Sequence, residues 1–167
     1  MGSSRRLLVV HHTPTASMRR LTDAALSGAR APEIEGVEVV SRPALEASAD
    51  DVLSADGYVL ATPANFGYMS GALKHFFDST FLQVGGSLDA SGGAGESAGA
   101  TRGRPFGLLV HGRYDVTGAV RAVLSIVGAL GWRQGFEVLE VMGDVDDGDV
   151  DAARELGATL AAVISTR

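Results

Sequence analysis

Three short stretches of this 167-residue chain hold residue types that chemistry can use. The first, His12-Thr13-Pro14-Thr15-Ala16-Ser17-Met18, puts hydroxyls at alternate positions just ahead of a segment with helical period. A helix start leaves backbone N–H groups without intrahelical acceptors, and hydroxyls beside them complete a cradle for a phosphate dianion with no arginine clamp. Thr15 or Ser17 serves equally well as a plain helix N-cap. Arg19 and Arg20 would add field near such an anion, although on an exposed first turn they read as solvated charges. In the second stretch, Pro63-Ala64-Asn65-Phe66-Gly67 follows an apolar run and precedes Tyr68 to Asp78. A loop with Pro and Gly can hold its amides in a fixed array against the polar edge of a planar heterocycle, with Phe66 or Tyr68 flanking the face. Phe76 and Phe77 read as ordinary core. The third stretch, His111-Gly112-Arg113-Tyr114-Asp115-Val116-Thr117-Gly118, leads into the most amphipathic segment of the chain.

The elements that must position these loops alternate strictly. Leu7 to His11, Val37 to Ser41, Gly57 to Ala61, Pro105 to His111 and Glu137 to Met142 read as five buried strands. Between them lie apolar helix faces: Met18, Leu21, Ala25 and Ala29; Leu73, Phe76, Phe77 and Phe81; Val116, Val120, Val123, Leu124, Val127 and Leu130. A last stripe, Val150, Ala153, Leu156, Leu160 and Val163, follows an Asp-rich start suited to a helix N-terminus. The expectation is one α/β domain, a three-layer doubly wound sheet of five parallel strands in flavodoxin-like order 2-1-3-4-5. In that order strands one, three and four are neighbours, and the loops after them are the three with unusual chemistry. The Gly-rich stretch Gly85 to Arg104 breaks the pattern, as a mobile surface insertion or as a lid over the crevice.

Composition narrows the function classes. The chain has no cysteine, which removes disulfides, thiolate metal sites and thiol redox chemistry, so redox work needs a cofactor. A net charge of −6 opposes nucleic-acid binding. Only Leu7 to Val10 follow the N-terminal arginines as an apolar run, too short for a signal-peptide core, and no stretch reaches membrane-spanning length. A cytoplasmic protein with no membrane partner is expected. His11, His12 and His111 fall at strand ends without a carboxylate at ligand spacing, so they read as cavity-lining or packed histidines rather than a metal site. Asp144 to Glu155 fails as a calcium loop, with Gly143 and Val145 at ligand positions and Arg154 where glutamate belongs. The acidic pair that a phosphorelay receiver needs after strand one is replaced by His11-His12.

Thr62-Pro63 through Asn65-Phe66-Gly67, followed by Met69-Ser70-Gly71 and Leu73-Lys74-His75-Phe76-Phe77-Asp78, resembles the flavin loop of flavodoxin-like NAD(P)H-dependent FMN reductases and quinone reductases. The resemblance covers nearly the whole chain except Gly85 to Arg104, where related proteins are usually shorter. It implies one non-covalent FMN, its phosphate at the loop after strand one and its isoalloxazine between the loops after strands three and four. Carried over by position, Thr13, Thr15, Ala16, Ser17 and Met18 hold the phosphate, and Pro63, Ala64, Asn65, Phe66 and Gly67 border the ring. The third loop matches by position and in Gly112 and Gly118, which puts His111, Gly112, Arg113 and Asp115 at the pyrimidine edge. A cation there would favour the anionic reduced flavin, and a carboxylate would oppose it. The phosphate loop departs from flavodoxins proper, with Pro14 and Ala16 where a glycine is common.

The activity so implied is hydride transfer from NAD(P)H to FMN, then electron delivery to a quinone, another flavin or a small electrophile, with no side chain needed as acid or base. Two other readings stay open: a non-enzymatic electron carrier docking on a redox partner protein, and a scaffold that keeps the fold without FMN. A homodimer or larger assembly is implied by the resemblance alone. Without a Gly-x-Gly-x-x-Gly motif and its downstream acid, the sequence does not choose between NADH and NADPH.

Overall fold

The computed structural model describes residues 3–93, 95 and 99–167; positions 94 and 96–98 of the Gly-rich stretch lie outside the described residues. Parallel strands β1 (Arg5–His11), β2 (Val37–Pro43), β3 (Gly57–Asn65) and β5 (Pro105–Gly112) form the middle of the sheet. Its order is β2-β1-β3-β5, continued at the far edge by β6 (Arg133–Gln134) and β7 (Leu139–Met142), both parallel to β5. This is the flavodoxin-like arrangement. Helices α1 (Ala16–Ala29) and α5 (Asp147–Ser165) cover one face; α2 (Ala49–Ser54), α3 (Gly71–Thr80) and α4 (Thr117–Ala129) cover the other.

Strand alternation divides the core between these layers. Leu8, Val10, Tyr58, Leu60, Leu108 and Val110 face α3 and α4, whereas Leu7, Val9, Val59, Ala61 and Leu109 face α1 and α5. The α1–α5 layer closes through two glycines. A β-carbon on Gly28 would lie 1.9 Å from the Arg154 carbonyl oxygen, and one on Gly157 the same distance from that of Ala25. Only hydrogen fits at either place.

One expectation is corrected. There are seven strands rather than five, because Tyr68–Met69 (β4) folds back on β3 and the fifth strand is split. Pro105 and Phe106 pair with Arg133 and Gln134, but Leu109 pairs with Leu139. Two residues of β5 therefore face four of the edge strand, which bulges outward over Gly135 to Val138. Gly135 keeps a backbone bond to the Phe106 carbonyl (2.8 Å), and a β-carbon there would press on Leu160 and Pro105 at 3.1 Å.

The described ends of the Gly-rich stretch lie away from the three loops. A right-handed crossover runs α3 antiparallel to the strands, so the segment after it emerges at their amino ends, opposite the three loops. Its stem is pinned there: Thr101 Oγ1 donates to the Val84 carbonyl (2.8 Å) and accepts from Trp132 Nε1 (2.9 Å). Arg104 Nη1 donates to the Val52 and Ala55 carbonyls at the end of α2 (3.1 and 2.7 Å).

Candidate functional site

The carboxyl ends of β1, β3 and β5 lie level, with His11 opposite Ala61 and Pro63 opposite His111. The chain segments leaving them enclose a cavity of about 400 Å³, lined by Thr15, Ser17, Pro63, Ala64, Asn65, Phe66, His111, Gly112, Arg113, Tyr114 and Asp115. That volume is in the range of small-molecule and cofactor sites, about 300 to 1,000 Å³.

At one end of the cavity is the start of α1. Thr15 is the N-cap, its Oγ1 accepting the Met18 amide (3.2 Å) and its carbonyl the Arg19 amide (3.0 Å). Ala16 and Ser17 open the helix, where amides have no intrahelical acceptor. The helix dipole favours an anion at this point, and the cap leaves the Thr15 hydroxyl proton free. Arg20 is taken up by Asp147 and the Val145 carbonyl (2.9 and 2.8 Å).

The middle wall is a hairpin. Ala64 pairs with Met69 and Asn65 with Tyr68, so Phe66 and Gly67 form a two-residue turn with φ of 51° and 77°. Positive φ at both positions is the turn type whose twist suits a hairpin, and it is ordinarily built from Asn-Gly or Gly-Gly. Phenylalanine in this conformation is strained by about 1 kcal/mol or more, and its ring gains nothing from packing because it is fully exposed. The hairpin is braced from below. Buried Thr62 Oγ1 accepts the Ser70 amide (3.0 Å) and donates to the Pro63 carbonyl (2.9 Å), while Ser70 Oγ caps α3 at the Leu73 amide (3.2 Å).

The far wall follows β5. Gly112 leaves room for the Ala64 methyl group, 3.1 Å from where its own β-carbon would sit. Gly118, in the first turn of α4, is tighter: a β-carbon there would lie 2.2 Å from the Gly67 carbonyl oxygen. The absence of that side chain lets the hairpin tip rest on α4. His111 is buried, and its Nε2 donates to the Gly143 carbonyl (2.7 Å), which fixes a proton on that nitrogen. Arg113 reaches away to Asp144 (2.9 Å). Asp115 Oδ1 accepts the Thr117 amide (2.9 Å), and this backbone donor, first among the causes, holds its carboxyl below the usual carboxylate range.

The family model for NADPH-dependent FMN reductase matches residues 15–141. The chain belongs to this FMN reductase family. Among curated relatives, the FMN reductase-family chain is 32% identical over 127 residues to a flavodoxin of Aquifex aeolicus, a match covering 68% of each chain. It is 29% identical over 95 residues to an NAD(P)H dehydrogenase (quinone) of Acidithiobacillus ferrooxidans, covering 45% of this chain and 46% of that one. In fold it is similar to the flavodoxin, WrbA-like protein from Agrobacterium tumefaciens, with TM-score 0.72 and 18% identity over 98% of this chain and 99% of that one.

Ten of the fourteen site residues expected from sequence line the cavity of this family member: Thr15, Ser17, Pro63, Ala64, Asn65, Phe66, His111, Gly112, Arg113 and Asp115. Ala16 lies between two of them and is exposed. The other three are placed elsewhere. Met18 does not line the cavity: its side chain is fully buried with Leu21, Ala61 and Leu109, and its amide donates to Thr15 Oγ1. Gly67 meets α4, and Thr13 is not among the lining residues, its Oγ1 lying 3.3 Å from His11 Nδ1. Tyr68 does not border the cavity. Tyr114 does, almost wholly exposed at 91%, and it is the residue that sequence reasoning missed. Its signal was its place beside Gly112 and Arg113 in a loop already marked for chemistry. Among the described residues no group of three or more His, Asp and Glu could hold a metal ion, and no helix is long and apolar enough to cross a membrane.

Proposed function

We propose that the chain binds one FMN non-covalently in this cavity and acts as a reductase. The observation that carries the reading is the junction, in one crevice, of an open helix N-terminus bearing two hydroxyls with walls that include exposed Phe66 and Tyr114. An anion fits the first part and a planar ring the second. Thr15, Ser17 and the amides of Ala16 and Ser17 would hold the phosphate. The backbone of Ala64 and Asn65 would meet the ring edge beside Pro63, which has no N–H to give, and Phe66 and Tyr114 would cover its faces and exclude water. Burying those two rings gives the strained turn the compensation that it lacks in the free protein.

FMN, once bound, would accept hydride from NAD(P)H and pass electrons to a quinone, another flavin or a small electrophile. The protein's share is binding and electrostatics. Asp115 stays ionised on the Thr117 amide and Arg113 is drawn toward Asp144, so the carboxylate dominates the far wall and opposes negative charge on the ring. The second reading, an electron carrier that docks on a partner protein, is favoured by the similarity to a flavodoxin and by the net charge of −6.

Titration of flavin-stripped protein with FMN, followed by flavin fluorescence and thermal stability, tests the site. Saturable binding with a rise in Tm is expected. Replacing Thr15 and Ser17 together with alanine should weaken binding at least tenfold, since hydrogen bonds to an ionised group are worth about 1.5 to 3 kcal/mol each. Unchanged affinity in that variant removes the phosphate assignment, and absence of binding removes FMN. Turnover with NAD(P)H and a quinone separates reductase from carrier.

A further inference from the structure

The strand farthest from β5 takes no part in the cavity. β2 pairs with β1 over its whole length, from Val37 opposite Arg5 to Pro43 opposite His11, and among the described residues no strand covers its far side. Which backbone groups it leaves open follows from its two ends. The Gly36 carbonyl accepts the Arg5 amide (2.8 Å), and the Ala44 amide donates to the His11 carbonyl (2.7 Å). Backbone direction alternates along a strand, so the even-numbered residues between these two face β1. Val37, Val39 and Ser41 then point their N–H and C=O groups outward. Arg30 meets the Val39 carbonyl at 3.4 Å and Arg42 the Ser41 carbonyl at 3.3 Å, both exposed and longer than an ordinary hydrogen bond. These contacts leave the carbonyls open to a better-placed amide.

The side chains of this edge are also only partly used. Val37, Val39 and Val40 are half-buried, whereas Leu7 to Val10 of β1 are fully buried. Glu38, Val40 and Arg42 share one face, where Glu38 meets Arg6 of β1 (2.9 Å) and Arg42 meets Asp51 of α2 (3.5 Å). A second copy, turned about a two-fold axis, would present the same strand antiparallel. The outward groups allow several registers, and charge chooses among them. With Val40 on the axis, Val39 and the partner's Ser41 exchange both amide–carbonyl bonds, and Ser41 and the partner's Val39 do the same. Val37 donates to the partner's Pro43 carbonyl, where the missing proline N–H ends the ladder. Glu38 then stands opposite the partner's Arg42, twice, at the pairs where facing side chains come closest. Arg6, Glu38, the partner's Arg42 and the partner's Asp51 would form a row of alternating sign. A shift of two residues either way sets Val40 opposite Glu38 or Arg42 and loses both ion pairs.

We propose that the chain forms a two-fold dimer by adding β2 to β2 of a second copy, with Val40 on the axis and Glu38 facing Arg42 across it. The two-fold uses the same edge of both copies, so association stops at two. It does not depend on what the cavity holds, since no residue of β2 lines it.

Sedimentation of the full chain across a range of concentrations should show a species of twice the 17.2 kDa chain mass. Glu38→Arg and Arg42→Glu each turn both facing pairs into like charges and should weaken dimerisation about tenfold or more. Mixed in equal amounts, these two variants should dimerise with each other, because every facing pair is again of opposite sign. Ser41→Pro removes an outward N–H and leaves the ladder to β1 intact; it should sediment as a monomer that still unfolds cooperatively. The chain has no cysteine, so Val40→Cys should cross-link to a dimer under mild oxidation, the facing Cα atoms lying within disulfide reach. Ser41→Cys, two residues out of register with its own copy, should not. A wild-type chain that stays monomeric up to its solubility limit overturns the proposal. So does a dimer that survives both Ser41→Pro and the charge reversals, a mixture of the two reversed variants that stays monomeric, or a dimer that Val40→Cys does not cross-link.

Discussion

The two ends of the one sheet are built on opposite terms. At the amino ends of the strands, polar groups answer one another: Tyr58 stacks on Trp132 (ring centroids 3.9 Å apart), and its hydroxyl donates to the Val52 carbonyl (2.8 Å). Arg104 closes the same carbonyls, and Thr101 ties Trp132 to Val84. At the carboxyl ends a helix start lies open, two aromatic rings stand in solvent and one of them sits on a strained turn. The first end holds the fold together; the second leaves interactions unmade that a ligand can complete.

Glycine contacts give the sharpest way to break that contrast. Gly28→Ala or Gly157→Ala puts a methyl group into backbone at 1.9 Å and must force α1 and α5 apart. A stability loss of about 3 kcal/mol is expected from overpacking with no soft neighbour to yield, measured by urea unfolding. Gains in helix propensity of about 1 kcal/mol work against this, so an unchanged midpoint would mean that the two helices are not held at this distance.

The base end also predicts a pH limit. Burial, the largest cause, raises the Tyr58 hydroxyl to about 12 from 10.0, with Arg104 pulling weakly the other way. The folded state thus favours the neutral phenol. Its contribution is complete below about pH 10 and is lost as pH rises through about 12, with roughly 3 kcal/mol at stake. The wild-type Tm should fall more steeply between pH 10 and 12 than that of Tyr58→Phe; parallel curves would sink the assignment.

At the site end, Gly118→Ala drives the Gly67 carbonyl off α4. It should cost about 1 kcal/mol of stability after the helix-propensity gain but weaken FMN binding about tenfold or more, because the hairpin and the far wall lose their common spacing. An effect on stability alone would make this contact structural. Phe66→Asn is the smallest change and has opposite signs in its two readouts. It installs the favoured Asn-Gly turn and should stabilise the free protein by about 1 kcal/mol while weakening FMN. Loss of stability in this variant would show that the turn is not strained.

Much of this was legible in the sequence for physical reasons. Buried parallel strands read as apolar runs, and the loops declared themselves through hydroxyls before a helix and through Pro63 and Gly67. What was missed depends on distant partners. Nothing local in Tyr68–Met69 reveals that it folds back on β3, and the split of the edge strand follows from register against β5. The Gly118 contact needs Gly67, some fifty residues away in sequence. α2 has too few residues to show a stripe, and only its Ser48 and Asp51 capping box marks it. The place of the described ends of the Gly-rich stretch was readable, since an insertion between a helix and the next parallel strand begins and ends at that strand's amino end.

The outward bulge of the edge strand has a bearing on the company this molecule can keep. An edge strand offers a row of unpaired amides and carbonyls to any passing strand, and a flat one invites open-ended growth. Here the ladder is interrupted after Gln134 and resumes two residues out of step at Leu139, flanked by exposed Glu137 and Glu140. A neighbouring strand that aligned with the first half would be out of register with the second and would meet like charge across negative copies of itself. The same irregularity that sets Arg133–Gln134 apart from the rest of the edge strand thus works against extension of the sheet into a fibre.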